Sequence, residues 1–191
     1  MIKINDPESR KVHTRNIQVA TYAHESDTII VEGRLTDNRL MDSYRSGGAV
    51  IPPGIVHDMV IRLKIKGHRL KIEDVDVQMP TVPHEDCDET RRSLEPIIGM
   101  EIFSGFTLRV KSLVGGAKGC AHLVALLTAM ASAAVQGAWS AVTREPVKNQ
   151  DFKHHTLNRI KDTCYVWRSD GPALKKYRET LKPDRLKLDN S

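Results

Sequence analysis

Residues 57–66, His-Asp-Met-Val-Ile-Arg-Leu-Lys-Ile-Lys, decide the fold class of this chain. Four apolar side chains occupy alternate positions of this stretch: Met59, Ile61, Leu63 and Ile65. Because successive side chains on a strand point to opposite faces of a sheet, the pattern predicts a strand with one apolar and one mostly basic face. Such a strand is typical of an antiparallel sheet with one face covered.

Three further stretches carry strand patterns. Residues 11–23 and 28–35 flank a short polar turn, which predicts an N-terminal hairpin over 11–36. Residues 70–77 follow a glycine turn and predict a second hairpin, with an irregularity at Glu73-Asp74. Two hairpins imply a sheet of about four antiparallel strands.

Helical patterns account for the rest of the chain. Short helices are predicted over 86–97 and 104–114, and a long helix over roughly 119–142 that is apolar nearly all round and should lie centrally. Residues 155–168 predict a further helix or strand. The elements together predict an α+β fold with helices packed on one face of the sheet.

The bulk properties favour one globular domain. A length of 191 residues suits one core and is short for two, and an apolar content of 40% excludes a disordered chain. We therefore predict a single domain over 1–191, with a core over about 55–142 and a C-terminal extension over 150–191. Three cysteines are too few and odd in number for a disulfide framework, which favours the reducing cytoplasm.

Charge and hydropathy indicate few partners. The formal net charge of +5 is explained by solubility alone. The basic strand face at 62–69 could contact a protein partner, although a solvated face is the simpler interpretation. We expect no nucleic-acid partner, because the C-terminal basic cluster lacks stacking aromatic residues. Residues 120–142 are uncharged, but their small and polar residues favour a core helix over a membrane span. The oligomeric state stays open.

Gly119-Cys120-Ala121-His122 is the most distinctive chemical feature. Cys120 is predicted at a helix N-terminus, which stabilises a thiolate. Cys87 lies near another predicted helix start, and His57-Asp58 precede the alternating stretch, where a loop could aim them at the same place. Cys and His ligate zinc or iron, and Asp can complete the shell. The competing interpretation is that these cysteines are small buried hydrophobes.

The whole chain resembles a bacterial family of uncharacterised proteins. The motifs that carry this resemblance are Val12-His13-Thr14-Arg15, Gly33-Arg34-Leu35-Thr36-Asp37, Ile55-Val56-His57-Asp58-Met59, Gly119-Cys120-Ala121-His122-Leu123 and Asp162-Thr163-Cys164-Tyr165. The resemblance implies no particular function.

Residues 57–142 are also similar in layout to the scaffold proteins of iron–sulfur cluster assembly. In that layout, a first ligand precedes a strand, a cysteine begins a helix, and a last cysteine opens an Ala-rich helix. His57-Asp58, Cys87 and Cys120-Ala121-His122 occupy the corresponding places, with His57 where the family has cysteine. The resemblance implies that Cys87, Cys120 and His122 ligate zinc or an iron–sulfur cluster, with His57, Asp58 or Cys164 completing the shell.

Three hypotheses follow. The leading one is a cytoplasmic metal- or iron–sulfur-related protein. The second is an enzyme in which Cys120 is a nucleophile and His122 or His57 its base. The third is a non-catalytic binding module that uses the basic strand face. The sequence does not decide whether the protein is an enzyme.

Overall fold

A computed structural model of the protein describes residues 9–25, 27–144 and 150–181. Within these ranges the strands are β1 (His13–Ala23), β2 (Thr28–Arg39), β3 (Ser43–Tyr44), β4 (Val50–Ile51), β5 (Gly54–Lys66) and β6 (Lys71–Thr81). The α-helices are α1 (Phe106–Val114), α2 (Ala121–Val142), α3 (Gln150–Ile160) and α4 (Pro172–Glu179), and 3-10 helices span Glu85–Ile97 and Gly116–Lys118.

The main sheet has four antiparallel strands in the order β1-β2-β5-β6. Both predicted hairpins are confirmed, and the pairing of β2 with β5 joins them. The irregularity predicted in β6 is a bulge: Lys64 pairs with Asp74 and Ile65 with Ile72, so Glu73 is the extra residue. The α+β class predicted from the sequence is therefore confirmed.

Helix α2 packs on one face of this sheet, mainly against β1 and β2. The alternating residues of β5 are fully buried beneath it, and Leu123, Leu126, Leu127 and Met130 of α2 are fully buried in return. Helix α2 is long and apolar enough to cross a membrane by length and composition alone. The core helix of a soluble protein meets the same two conditions. The buried stripe on α2 is what packing on a sheet requires.

Two glycines allow α2 to approach the sheet closely. A Cβ atom at Gly33 would lie 2.6 Å from Sδ of Met130, and one at Gly137 would lie 2.4 Å from Cβ of Thr21. The contact of Met130 with Gly33 also fixes what lies beyond it. His122 is eight residues before Met130 on α2, and Asp37 is four residues after Gly33 on β2, so each lies about 12–14 Å from the contact. The contact therefore places the start of α2 over the end of β2.

The predicted helices are confirmed with small changes. The segment predicted over 86–97 is a 3-10 helix with Leu94 and Ile97 buried, and the other two begin at Phe106 and Ala121. In the stretch predicted as a helix or strand, α3 ends at Ile160 and turns follow. Residues 1–8 and the tail from Pro183 lie outside the described residues.

Candidate functional site

Three strands bring polar side chains into one row near the end of the sheet. Arg15 on β1 lies directly opposite Asp37 on β2, and Asp37 lies directly opposite His57 on β5. Leu35, two residues before Asp37, and Met59, two residues after His57, are fully buried. Because residues two apart on a strand share a face, the row continues the apolar face that packs against α2.

The carboxylate of Asp37 is the centre of this row and is only 2% exposed. The guanidinium of Arg15 donates Nε–H to Oδ1 and Nη2–H to Oδ2, both at 2.7 Å. His13 Nε2 lies 3.4 Å from Oδ1. The hydrogen bonds from Arg15 hold the pKa of Asp37 below its ordinary value, and this effect outweighs the opposing effect of burial. Asp37 is therefore an anion at neutral pH.

Two histidines face the same carboxylate oxygen. His57 Nδ1 lies 3.0 Å and His122 Nε2 lies 3.5 Å from Oδ2 of Asp37. The imidazole rings stack, with centroids 3.8 Å apart and planes inclined by 29°. One ligand-type atom from each of the three residues lies within 4.8 Å of the other two. We call such a set of His, Cys, Asp or Glu side chains a metal-type group, and no other occurs in the described ranges.

The Nδ1 atom of His57 is buried and forms no hydrogen bond within the described part of the chain. Nδ1 of His57 lies 3.0 Å from Oδ2 of Asp37, which is short enough for an ionic contact. The ring is not aligned with the carboxylate as a hydrogen bond requires. A buried ring nitrogen without a partner is unfavourable by about 1–3 kcal/mol. A cation or donor at this point would satisfy it.

His122 is held near neutrality by its surroundings. Burial lowers its pKa, as do the neighbouring His57 and Arg15, while Asp37 opposes them. The net direction is downward, so the neutral imidazole predominates at neutral pH. The neutral ring is the form that ligates a metal or accepts a proton.

Cys120 lies on the other side of His122. It occupies the N-cap position of α2, and its Sγ atom is 3.7 Å from Nδ1 of His122. His122 therefore contacts a thiol through one ring nitrogen and the Asp37 carboxylate through the other. We refer to the six residues that meet here as the Asp37 cluster: His13, Arg15, Asp37, His57, Cys120 and His122.

Of the residues predicted as ligands, His57, Cys120 and His122 meet in this cluster. Asp58 lies on the opposite face of the sheet, where Arg34 donates to both of its carboxylate oxygens at 2.8 and 2.6 Å. The reason is that β5 begins at Gly54, so the stretch expected to be a loop is already a strand and neighbouring side chains alternate.

The other two predicted cysteines lie apart from this group. Cys87 is half-buried in the 3-10 helix and packs against the core, whereas Cys164 is exposed in the turn after α3. Neither belongs to a metal-type group in the part of the chain that the structure describes.

The basic strand face carries acidic partners of its own. Arg62 pairs with Glu32 and Asp76, at 2.6 and 3.2 Å, and Lys64 lies 3.6 Å from Glu73. These are partly exposed ion pairs, which generally contribute little to stability.

Asp37, Arg15 and His13 were not predicted from the sequence as members of a site. One signal was available for Asp37, because it continues the buried alternation of Val31 and Leu35. A carboxylate on such a face is expected to have a partner. The identity of the partners depends on strand register, which the separate strand patterns do not give.

A protein-family model described as "Protein of unknown function (DUF2889)" matches residues 13–136, which is more than half of the chain. All six residues of the Asp37 cluster fall within this range, whereas α3 and α4 lie beyond it. The match agrees with the resemblance to an uncharacterised family, and the likeness to iron–sulfur scaffolds stays a prediction. Searches of curated proteins and of solved structures found no match.

Proposed function

We propose that this chain, which belongs to the DUF2889 family of proteins of unknown function, binds one divalent transition-metal ion through Asp37, His57 and His122. The observation that carries the proposal is the buried Nδ1 atom of His57, which forms no hydrogen bond with the described residues and lies beside two other ligand-type atoms. Two imidazoles and one carboxylate suit zinc or non-haem ferrous iron.

The number of protein ligands favours a reactive site. Structural zinc sites are closed by four protein ligands, whereas catalytic sites have three and keep a position for water or substrate. The Asp37 cluster offers three ligand-type atoms within 4.8 Å of one another. We infer a single ion with an open position, in a protein of the reducing cytoplasm.

The remaining cluster residues suit supporting roles. Arg15 fixes the orientation of the Asp37 carboxylate, and Cys120 can accept a hydrogen bond from Nδ1 of His122 when Nε2 holds the metal. Such outer partners orient metal-binding histidines and raise their affinity. A mononuclear ion fits better than an iron–sulfur cluster, which needs several thiolates, since Cys87 and Cys164 join no metal-type group in the described residues.

Metal titration tests the proposal directly. The protein, purified without a histidine tag and stripped with a chelator, should bind one equivalent of Zn²⁺ or Co²⁺ in calorimetry. Co²⁺ should give visible absorption typical of low coordination number. His57→Gln and His122→Gln should each weaken binding by more than about 100-fold, beyond the 10–100-fold lost with an outer partner.

The matched control is His24→Gln, at the opposite end of the sheet, where the imidazole is half exposed. It should leave the titration unchanged. One site should bind one ion. Binding of less than about a tenth of an equivalent by the wild-type protein would therefore contradict the proposal. Equal losses of affinity in all three variants would contradict it as well.

A second candidate function is favoured by the contacts of Cys120. Its thiol lies 3.7 Å from Nδ1 of His122, whose Nε2 lies 3.5 Å from Asp37. A thiol, a base and an orienting carboxylate in this order form a nucleophilic triad. In metal-free protein, iodoacetamide should then alkylate Cys120 faster than Cys87, and His122→Gln should remove that difference. Equal rates for the two thiols would reject the triad.

A further inference from the structure

A large cavity lies at the opposite end of the molecule from the Asp37 cluster. It has a volume of about 750 Å³ and is bounded by the β1–β2 and β5–β6 turns, the C-terminal part of α2, α3 and α4. Its edge at Thr28 is nine residues along β2 from Asp37, or about 30 Å for an extended strand. The cavity is therefore separate from the proposed metal site, and its size falls within the range of about 300–1,000 Å³ typical of ligand pockets.

The wall of the cavity is mainly apolar. Its apolar side chains include Ile29, Ile65, Leu70, Val135 and Val142. Both tryptophans of the chain, Trp139 and Trp167, also line it. A wall of this kind buries an alkyl chain or ring system, since removal of apolar surface from water is the main favourable term.

Charged groups divide between two sides of the cavity. Glu25 and Asp27 come from the β1–β2 turn and are exposed, as is Arg144 just after α2, whereas Arg159 comes from α3 and is half-buried. Arg159 makes no hydrogen bond or close ion pair with the described residues. Glu101, the described acidic residue whose charge acts on Arg159, is already paired with Arg69 at 3.1 Å. Burial lowers the pKa of Arg159 from its ordinary value, because it disfavours the charged guanidinium. An anion beside Arg159 would stabilise that charge.

We infer that this cavity binds an amphipathic carboxylate, with the alkyl chain against the apolar wall and the carboxylate on Arg159. The geometry favours a carboxylate because a guanidinium presents two parallel N–H donors that match its two oxygens. A neutral chain of the same length would bury the same apolar area but leave Arg159 unpaired.

Tryptophan fluorescence provides the test, because both tryptophans report on this cavity. Dodecanoate, titrated below its micelle concentration into the full chain, should change the emission in a saturable way. Dodecanol should bind at least about tenfold more weakly, the size of one charge-assisted hydrogen bond. Arg159→Leu should reduce the affinity for dodecanoate to that for dodecanol and leave dodecanol binding unchanged.

Two further variants complete the experiment. Arg92→Leu removes an exposed guanidinium in the 3-10 helix, outside the cavity, and should change nothing. Ala138→Phe narrows the cavity and should weaken both probes equally while the melting temperature shows that the protein is folded. A fluorescence change that does not saturate, or equal binding of the two probes by the wild-type protein, would overturn the inference. If Ala138→Phe does not fold, the paired probes on Arg159→Leu still decide it.

Discussion

Two buried aspartates of the sheet, Asp37 and Asp58, form nearly the same ion pair on opposite faces. Asp37 is 2% and Asp58 is 5% exposed. Each accepts two parallel hydrogen bonds from an arginine on a neighbouring strand, at 2.7 and 2.7 Å from Arg15 and at 2.8 and 2.6 Å from Arg34. A buried carboxylate with a bidentate arginine is thus common to both, and this feature alone does not distinguish a functional site.

The difference lies in what surrounds each pair. Asp37 faces α2, so His57 and His122 converge on its second oxygen and Cys120 lies behind them. Asp58 faces away from α2, and Arg34, its partner, is 57% exposed there. The comparison indicates that a site arises where a buried polar atom is left without a hydrogen-bond partner among the described residues, as with Nδ1 of His57. In the structural pair of Asp58 with Arg34, each group meets the hydrogen-bonding needs of the other.

The largest expected effect comes from neutralising each aspartate in turn. Asp37→Asn should weaken Zn²⁺ binding by more than about 100-fold, because the metal loses its anionic ligand and Arg15 keeps its charge. Asp58→Asn should bind zinc like the wild-type protein. Calorimetric titration of the two variants, both checked for folding by circular dichroism, makes the comparison. Equal losses in the pair would mean that Asp37 has no special role.

The position of α2 should affect the site at Asp37, which faces this helix, and not the ion pair of Asp58, which faces away from it. In Gly33→Val, the added side chain meets Met130 and Leu126 within 3.0 Å. Overpacking of this kind destabilises proteins by about 1–3 kcal/mol, and displacement of α2 should also weaken metal binding. Gly47→Val is the control, since nothing lies within 4 Å of a Cβ there. Urea unfolding measures both, and an unchanged free energy in Gly33→Val would contradict the close approach.

Much of this arrangement could be predicted from local sequence. The alternation at 59–66 was sufficient for the C-terminal part of β5, and the bulge in β6 followed from Glu73-Asp74 breaking the same pattern. The apolar run that became α2 was also clear. These predictions succeed because strand and helix periodicity is a property of neighbouring residues.

The site itself depends on long-range register. Asp37 meets Arg15 and His57 only because β2 pairs with β1 and β5 in one particular register, and His122 joins them through the contact of Met130 with Gly33. A shift of one residue would turn Asp37 to the other face. The layout of cysteines along the chain carries no information about this register, which is why Asp37 was missed.

The pH dependence of stability should separate the two faces more finely. The pKa of His122 is lowered in the folded protein, so the unfolded chain binds more protons just below the ordinary histidine value of about 6.5. Stability of the metal-free protein should therefore fall as the pH is lowered from about 7 to 5. The lowered pKa of Asp37 acts in the same direction in a more acidic range.

Thermal melting across this pH range checks the expectation. The decrease in melting temperature should be smaller in His122→Gln than in the wild-type protein, because the group that resists protonation is removed. His24→Gln, whose imidazole lies away from the cluster, should retain the full decrease. The same slope in His122→Gln and the wild-type protein would show that His122 is not the group responsible.

The smallest expected effect concerns the cysteines. Cys120→Ala removes the sulfur 3.7 Å from Nδ1 of His122 and should weaken Zn²⁺ binding by about tenfold, the lower end of the loss expected for an outer partner. Cys87→Ala should leave the affinity unchanged, because Cys87 packs against the core and joins no metal-type group in the described residues. Competition with a chromophoric chelator resolves the two values. A loss in Cys87→Ala as large as that in His57→Gln would instead restore Cys87 as a ligand, and would extend the site from the sheet into the 3-10 helix.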